Sequence, residues 1–177
     1  MLQDWIVPWS GQGFRHLPDG NYNVYDFQYA GLATNNRWNV QGEATLYLAG
    51  SLDVVVGEWS RHFQFDRPQQ LSTKTKRRKV YGFEVRLNQT LNLCQAEIWQ
   101  ELSLANAPHC FLDKKIARAT AQFIRQTTDV EAIFVPSMAF LDQLDKWVLV
   151  LFLEKLPYES QTFLPVVQDF GFLNINN

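Results

Sequence analysis

Arg37-Trp38-Asn39-Val40-Gln41-Gly42-Glu43-Ala44-Thr45-Leu46-Tyr47-Leu48-Ala49 runs through Gly50-Ser51 into Leu52-Asp53-Val54-Val55-Val56-Gly57-Glu58-Trp59, passing from a polar turn to a strand and then to a helix. The short apolar run from Ala44 to Ala49 reads as a buried strand in which Tyr47 points away from Leu46 and Leu48. Gly50 ends it, and Ser51 offers a hydroxyl to the free N–H groups of a helical first turn. From Leu52 to Phe63, the positions Leu52, Val55, Val56, Trp59 and Phe63 recur at helical spacing and predict the inward stripe. At about 100° per residue Glu58 falls roughly 120° from Leu52, so it flanks that stripe, with His62 one turn further along.

Downstream, Tyr81, Phe83, Val85 and Leu87 alternate with Gly82, Glu84 and Arg86, the period of a strand with one buried face. Gln95 to Leu102 fits a short helix. Asp113 is placed to cap a longer one over Lys114 to Gln126, with Ile116, Ala119, Thr120, Phe123 and Ile124 as its stripe. Glu131 to Val135, closed by Pro136, and Trp147 to Leu153 read as apolar strands. Upstream, residues 1 to 43 are rich in Gly, Pro, Asn and Asp, which predicts turns and short extended pieces. Strands and helices intermix without strict alternation, so an α+β domain with a mixed sheet is expected over a doubly wound one.

The chain has 177 residues, no internal repeat and no linker-like stretch, which predicts one domain over 1–177. With 46% hydrophobic and 19% charged residues it has enough apolar surface for a core and is excluded from the disordered class. The net charge of −2 rules out a general polycation. Five of the positive charges, Lys74, Lys76, Arg77, Arg78 and Lys79, nevertheless fall within six residues, a basic loop on an acidic body. Cys94 and Cys110 are too few and too far apart for a disulfide scaffold or a Cys-x-x-Cys site. The first residues do not resemble a signal peptide, and the longest apolar run, Trp147 to Leu153, falls short of the roughly 20 residues of a membrane span. A cytoplasmic protein is the expectation.

Several chemistries are excluded on spacing. The chain lacks a phosphate-loop pattern and a His-Glu-x-x-His helix, and Gly11-Gln12-Gly13 meets His16 where a dinucleotide-binding loop needs glycine. His16, His62 and His109 are not at metal-ligand spacing, so no metal is expected, and Ser137 is not in a nucleophile elbow.

The segment Arg37-Trp38-Asn39…Thr45-Leu46-Tyr47-Leu48-Ala49, with a helical Glu58 eleven residues after the Tyr, resembles the RES domain, the toxin half of RES–Xre toxin–antitoxin pairs. The likeness extends to Phe14-Arg15-His16-Leu17-Pro18 and to Ala132-Ile133-Phe134-Val135-Pro136-Ser137, and so covers roughly residues 14–153, leaving a C-terminal tail from about 157 to 177. Two departures stand out. Asn35-Asn36 replaces a usual glycine pair, and Met138 follows Ser137 where a small residue is common.

The resemblance implies a mixed, mostly antiparallel sheet similar to the ADP-ribosyltransferase catalytic fold, NAD⁺ as substrate, and cleavage of its nicotinamide–ribose bond with water, phosphate or a protein acceptor. It also implies a cognate Xre-like antitoxin. Carried onto this sequence, Glu58 is the carboxylate facing the ribosyl centre, Arg15 and Arg37 hold the phosphates, Tyr47 stacks on nicotinamide, and Ser137 gives a hydroxyl to nicotinamide or ribose. A guanidinium fork suits phosphate oxygens, and a fixed carboxylate suits an oxocarbenium-like centre. Arg61 rivals Arg15, and His62 is a lesser candidate beside Glu58. Two competing expectations stand: an RNA- or single-stranded-DNA-binding module using the basic loop with Tyr81, and a RES-like domain that binds a partner without catalysis.

Overall fold

The computed structural model describes residues 2–65 and 77–174. A 3₁₀ turn at Leu2–Trp5 precedes β1 (Val7–Pro18), β2 (Thr45–Ala49), helix α1 (Leu52–Phe65), β3 (Arg77–Asn92), α2 (Ala96–Glu101), α3 (Lys114–Thr127), β4 (Ala132–Pro136), β5 (Trp147–Phe152) and β6 (Val166–Asn174). The strands form one sheet in the order β1-β2-β5-β4-β3-β6, and a further pairing of β1 with β3 closes a ring of five from which β6 projects. Among the described residues only β3 and β4 run parallel. The architecture is therefore α+β with a mixed, mostly antiparallel sheet, as expected.

β4 and β5 lie in the middle of the sheet, and this explains their unbroken apolar sequences: both faces are covered. Ile133, Val135, Val150 and Phe152 pack with Ala117, Ala121 and Ile124 of α3. Ala132, Phe134, Leu149 and Leu151 face the other way, into a cluster with Leu46, Leu48, Phe83 and Val85. Tyr47 joins the α3 side and its neighbours Leu46 and Leu48 the other, the alternation that the strand reading requires.

Both long helices start where their caps predict. Ser51 Oγ accepts from the Val54 N–H at 3.3 Å, and Asp113 Oδ1 accepts from that of Lys115 at 2.8 Å. The buried faces, however, are rotated from the expected stripes. In α1 the buried residues are Val54, Val55 and Trp59, whereas Leu52 and Val56 are exposed; the Phe63 side chain lies outside the described residues. In α3 Ala117, Thr120, Ala121, Ile124 and Arg125 face inward, and Ile116, Ala119 and Phe123 face solvent. Small Ala117 and Ala121 let that helix approach the sheet, and Arg125 finds a carboxylate there, so shape and charge pairing outweigh hydrophobicity.

Two other expectations are corrected. The Gly- and Pro-rich N-terminal stretch contains the 12-residue β1, because its glycines serve close packing: a Cβ at Gly13 would stand 2.9 Å from Leu48 Cβ. The expected C-terminal tail carries Leu164, fully buried, and β6, which pairs antiparallel with β3. Of the basic loop, Lys74 and Lys76 lie outside the described residues, while Arg77, Arg78 and Lys79 belong to β3.

Candidate active site

α1 presents Glu58 toward the C-terminal end of β4. Its Oε1 accepts from Ser137 Oγ at 2.6 Å and from the Ala139 N–H at 3.2 Å. Oε2 makes no hydrogen bond among the described residues. One carboxylate oxygen is thus anchored and the other left open. Ser137 is fully buried just beyond Pro136, and its own N–H donates to the Lys146 carbonyl at 2.9 Å.

Tyr47 is fixed through its phenol. Oη donates to Asn39 Oδ1 at 2.6 Å and accepts from the Trp38 N–H at 3.2 Å, and burial raises the phenol above its ordinary pKa, so it stays protonated. Asn39, fully buried, donates from Nδ2 to the carbonyls of Gly31 and Val40. Trp38 is buried edge-on against Phe111. Trp38 and Asn39 are thereby accounted for as the scaffold of Tyr47.

Arg37 donates from Nη1 to the carbonyls of Phe111 and Leu112 at 2.7 and 2.8 Å, which anchors one nitrogen of its guanidinium on the turn before α3. Arg15 donates to the Val24 carbonyl at 3.4 Å and lies 5.2 Å from the ring centre of Phe27. Burial lowers its pKa, with Asp26 opposing, and a guanidinium still keeps its proton.

Two hollows meet at Glu58 and Tyr47. The larger, about 360 Å³, is lined by Arg15, His16, Tyr29, Val55 and Val148 among others. The smaller, about 170 Å³, is bordered by Arg37, Arg61, His62 and Lys114. Asn36, Tyr47 and Glu58 belong to both. Arg15 and Arg37 therefore stand in different hollows on either side of the carboxylate. Arg61 and His62 are found with Arg37, not with Arg15.

Ser137 lines neither hollow, and its hydroxyl proton is given to Glu58. Sequence reasoning passed over His16, Tyr29 and Lys114. His16 carried a signal, since it adjoins Arg15 in β1; Lys114, brought in by α3, carried none. Among the described residues no group of three or more His, Cys, Asp or Glu could hold a metal ion, and no helix is long and apolar enough to cross a membrane.

The described part of the basic cluster is engaged within the protein. Arg77 sits 3.9 Å over the Phe172 ring and 3.5 Å from Asp19, Arg78 donates to His16, and Lys79 pairs with Asp169 at 2.8 Å. These partners oppose its use as a nucleic-acid surface.

Residues 14–162 match the model of the RES domain family. No curated protein matches the sequence. Among solved structures the fold is similar to a chain from the crystal structure of the M. tuberculosis MbcT–MbcA toxin–antitoxin complex. The TM-score is 0.67 at 18% identity, covering 94% of this chain and 87% of that one.

Proposed function

This chain belongs to the RES domain family, and from that premise we propose that it is the toxin of a toxin–antitoxin pair, acting on NAD⁺ in the cytoplasm by breaking the nicotinamide–ribose bond. The observation that carries the reading is Glu58, with Oε1 anchored and Oε2 open where two arginine-bearing hollows meet. A dinucleotide needs more than one subsite, and the larger hollow has the size of a small-molecule pocket.

In this reading Arg15 and Arg37 hold phosphate oxygens by charge-assisted hydrogen bonds. As the C–N bond breaks, its electron pair leaves with nicotinamide, which becomes neutral, and positive charge gathers on the ribosyl carbon. The Glu58 carboxylate stabilises that charge more in the transition state than in the ground state. An oxygen of water, phosphate or a protein side chain then bonds to the ribosyl carbon, and a proton carried by that oxygen passes to solvent. Tyr47, protonated and rigid, offers its ring to nicotinamide. A toxin of this kind is restrained by a partner, here an Xre-like antitoxin that covers the cleft.

The test is nicotinamide release from NAD⁺ by the purified protein, with and without phosphate, beside Glu58→Gln. The expected result is a fall of about 10²–10³-fold in turnover for the variant, the loss typical of a charge-stabilising group. Equal turnover by both proteins removes Glu58 from the mechanism. No release with water, phosphate or candidate protein acceptors overturns the enzyme reading in favour of a domain that binds without catalysis.

A further inference from the structure

We propose that His16 donates a hydrogen bond from Nε2 to an oxygen of the ADP-ribosyl part of the substrate, and that Arg78 is the positioning residue holding its imidazole in that tautomer. The proposal rests on the NAD⁺ reading above and assigns a substrate contact to a side chain outside the Arg, Tyr, Glu and Ser set.

His16 borders the larger hollow with Arg15 and Glu58. In the antiparallel pairing of β1 with β3, His16 lies opposite Val80 and Pro18 opposite Arg78, so His16 and Arg78 are diagonal neighbours on one face. Arg78 Nε donates to His16 Nδ1 at 2.9 Å. Guanidinium has no acceptor, so Nδ1 carries the lone pair and the ring proton resides on Nε2. Arg78 is itself braced 4.4 Å over the Trp59 ring. The imidazole meets that same indole edge-on, with centroids 4.9 Å apart, and Trp59 directly follows Glu58. The ring has little freedom to turn.

Burial first, then the Arg78 and Arg15 cations and His62, push the His16 pKa down to about 3, so the ring is neutral at any cellular pH. Its Nε2–H makes no hydrogen bond among the described residues. His16 is half-buried at the wall of the hollow, where this donor is available to a ligand acceptor. Arg15 before it in the sequence and Arg78 across the sheet make an electron-rich oxygen the fitting partner, a phosphoryl oxygen or a ribose hydroxyl, and disfavour the cationic pyridinium ring.

Titration calorimetry with ADP-ribose and with ADP tests the assignment. His16→Phe, which keeps a ring without the donor, is expected to weaken ADP-ribose binding about tenfold or more, and His16→Gln, whose amide N–H₂ reaches a similar position, to restore most of it. Weakening of ADP-ribose alone assigns the terminal ribose, the one that nicotinamide leaves, and weakening of both ligands assigns the ADP part they share, its phosphates or its adenosine ribose. In the wild-type protein, ¹⁵N spectra are expected to find Nδ1 unprotonated and Nε2–H moving downfield when ADP-ribose is added. In Arg78→Met the free protein is expected to lose that single tautomer. Unchanged affinity in His16→Phe, or a protonated Nδ1 in the wild type, overturns the proposal while nicotinamide release stands. Should the Phe variant fail to fold, an Nε2–H resonance indifferent to ADP-ribose overturns it equally. A wild-type protein that neither binds ADP-ribose nor releases nicotinamide overturns this proposal and the NAD⁺ reading together.

Discussion

Glu58 owes its geometry to a serine on another element, 79 positions along the chain. A hydrogen bond from a buried neutral hydroxyl to a carboxylate contributes about 1.5–3 kcal/mol, and here it selects one orientation of the acid. Because Ser137 touches Glu58 and lines neither hollow, Ser137→Ala is expected to lower kcat for nicotinamide release by about 10-fold or more with little change in KM, the pattern of a lost transition-state interaction. A raised KM at constant kcat would instead assign Ser137 a contact with the ligand. At this scale the sequence was informative about residue type and silent about direction. Arg15, Arg37, Tyr47 and Glu58 were legible as candidates and all reach the two hollows, whereas nothing in one dimension reveals that the Ser137 hydroxyl turns back to the acid.

The element that delivers Arg37 and the scaffold of Tyr47 is the irregular segment from Gly31 to Glu43. It is held by hydrogen bonds across its own base: the Gly31 carbonyl accepts from Asn39 Nδ2 and from the Gly42 N–H at 3.2 Å each. Gly31 has φ +80°, and a Cβ there would fall 1.8 Å from the Glu43 carbonyl oxygen. Positive φ alone costs a non-glycine residue about 1–3 kcal/mol, and the overlap with backbone adds to that. Gly31→Ala is therefore expected to lower the unfolding free energy by at least that amount in urea melts and to reduce nicotinamide release. An unaltered melt would show that the segment has another way to close. Helix positions were legible from caps and periodicity. Helix faces were not, since apolar Ile116 and Phe123 stay outside and Arg125 goes in.

Arg125 links parts of the molecule that are distant in sequence. Its Nη1 stands 2.9 Å from Glu43 Oε2, and its Nη2 donates to Thr45 Oγ1 at 2.8 Å. Glu154, beyond β5, lies 2.9 Å from Nε without hydrogen-bond alignment, and the guanidinium covers the Phe152 ring at 4.3 Å. α3, the Gly31–Glu43 segment and the sheet are thus clamped together behind the cleft. Removing one member of such a pair strands its partner, so Arg125→Met is expected to cost about 3 kcal/mol, because Glu43 retains some solvent. Equilibrium unfolding checks the figure, and adding Glu43→Gln to the variant is expected to recover part of the loss. A loss below about 1 kcal/mol would class the pair with ordinary surface salt bridges.

Local chemistry is written in the chain itself. Apolar runs, alternation, caps and the Arg-Trp-Asn…Tyr…Glu spacing were enough to determine the α+β class, most strand and helix positions and the family, since each depends on residues within a few turns of one another. Closure of the sheet by β1 and β3, the place of β6, the buried Arg125 and the His16–Arg78 contact were decided by tertiary structure alone. Those contacts join residues tens of positions apart, and which groups meet depends on the packing of the whole chain, which no local pattern encodes.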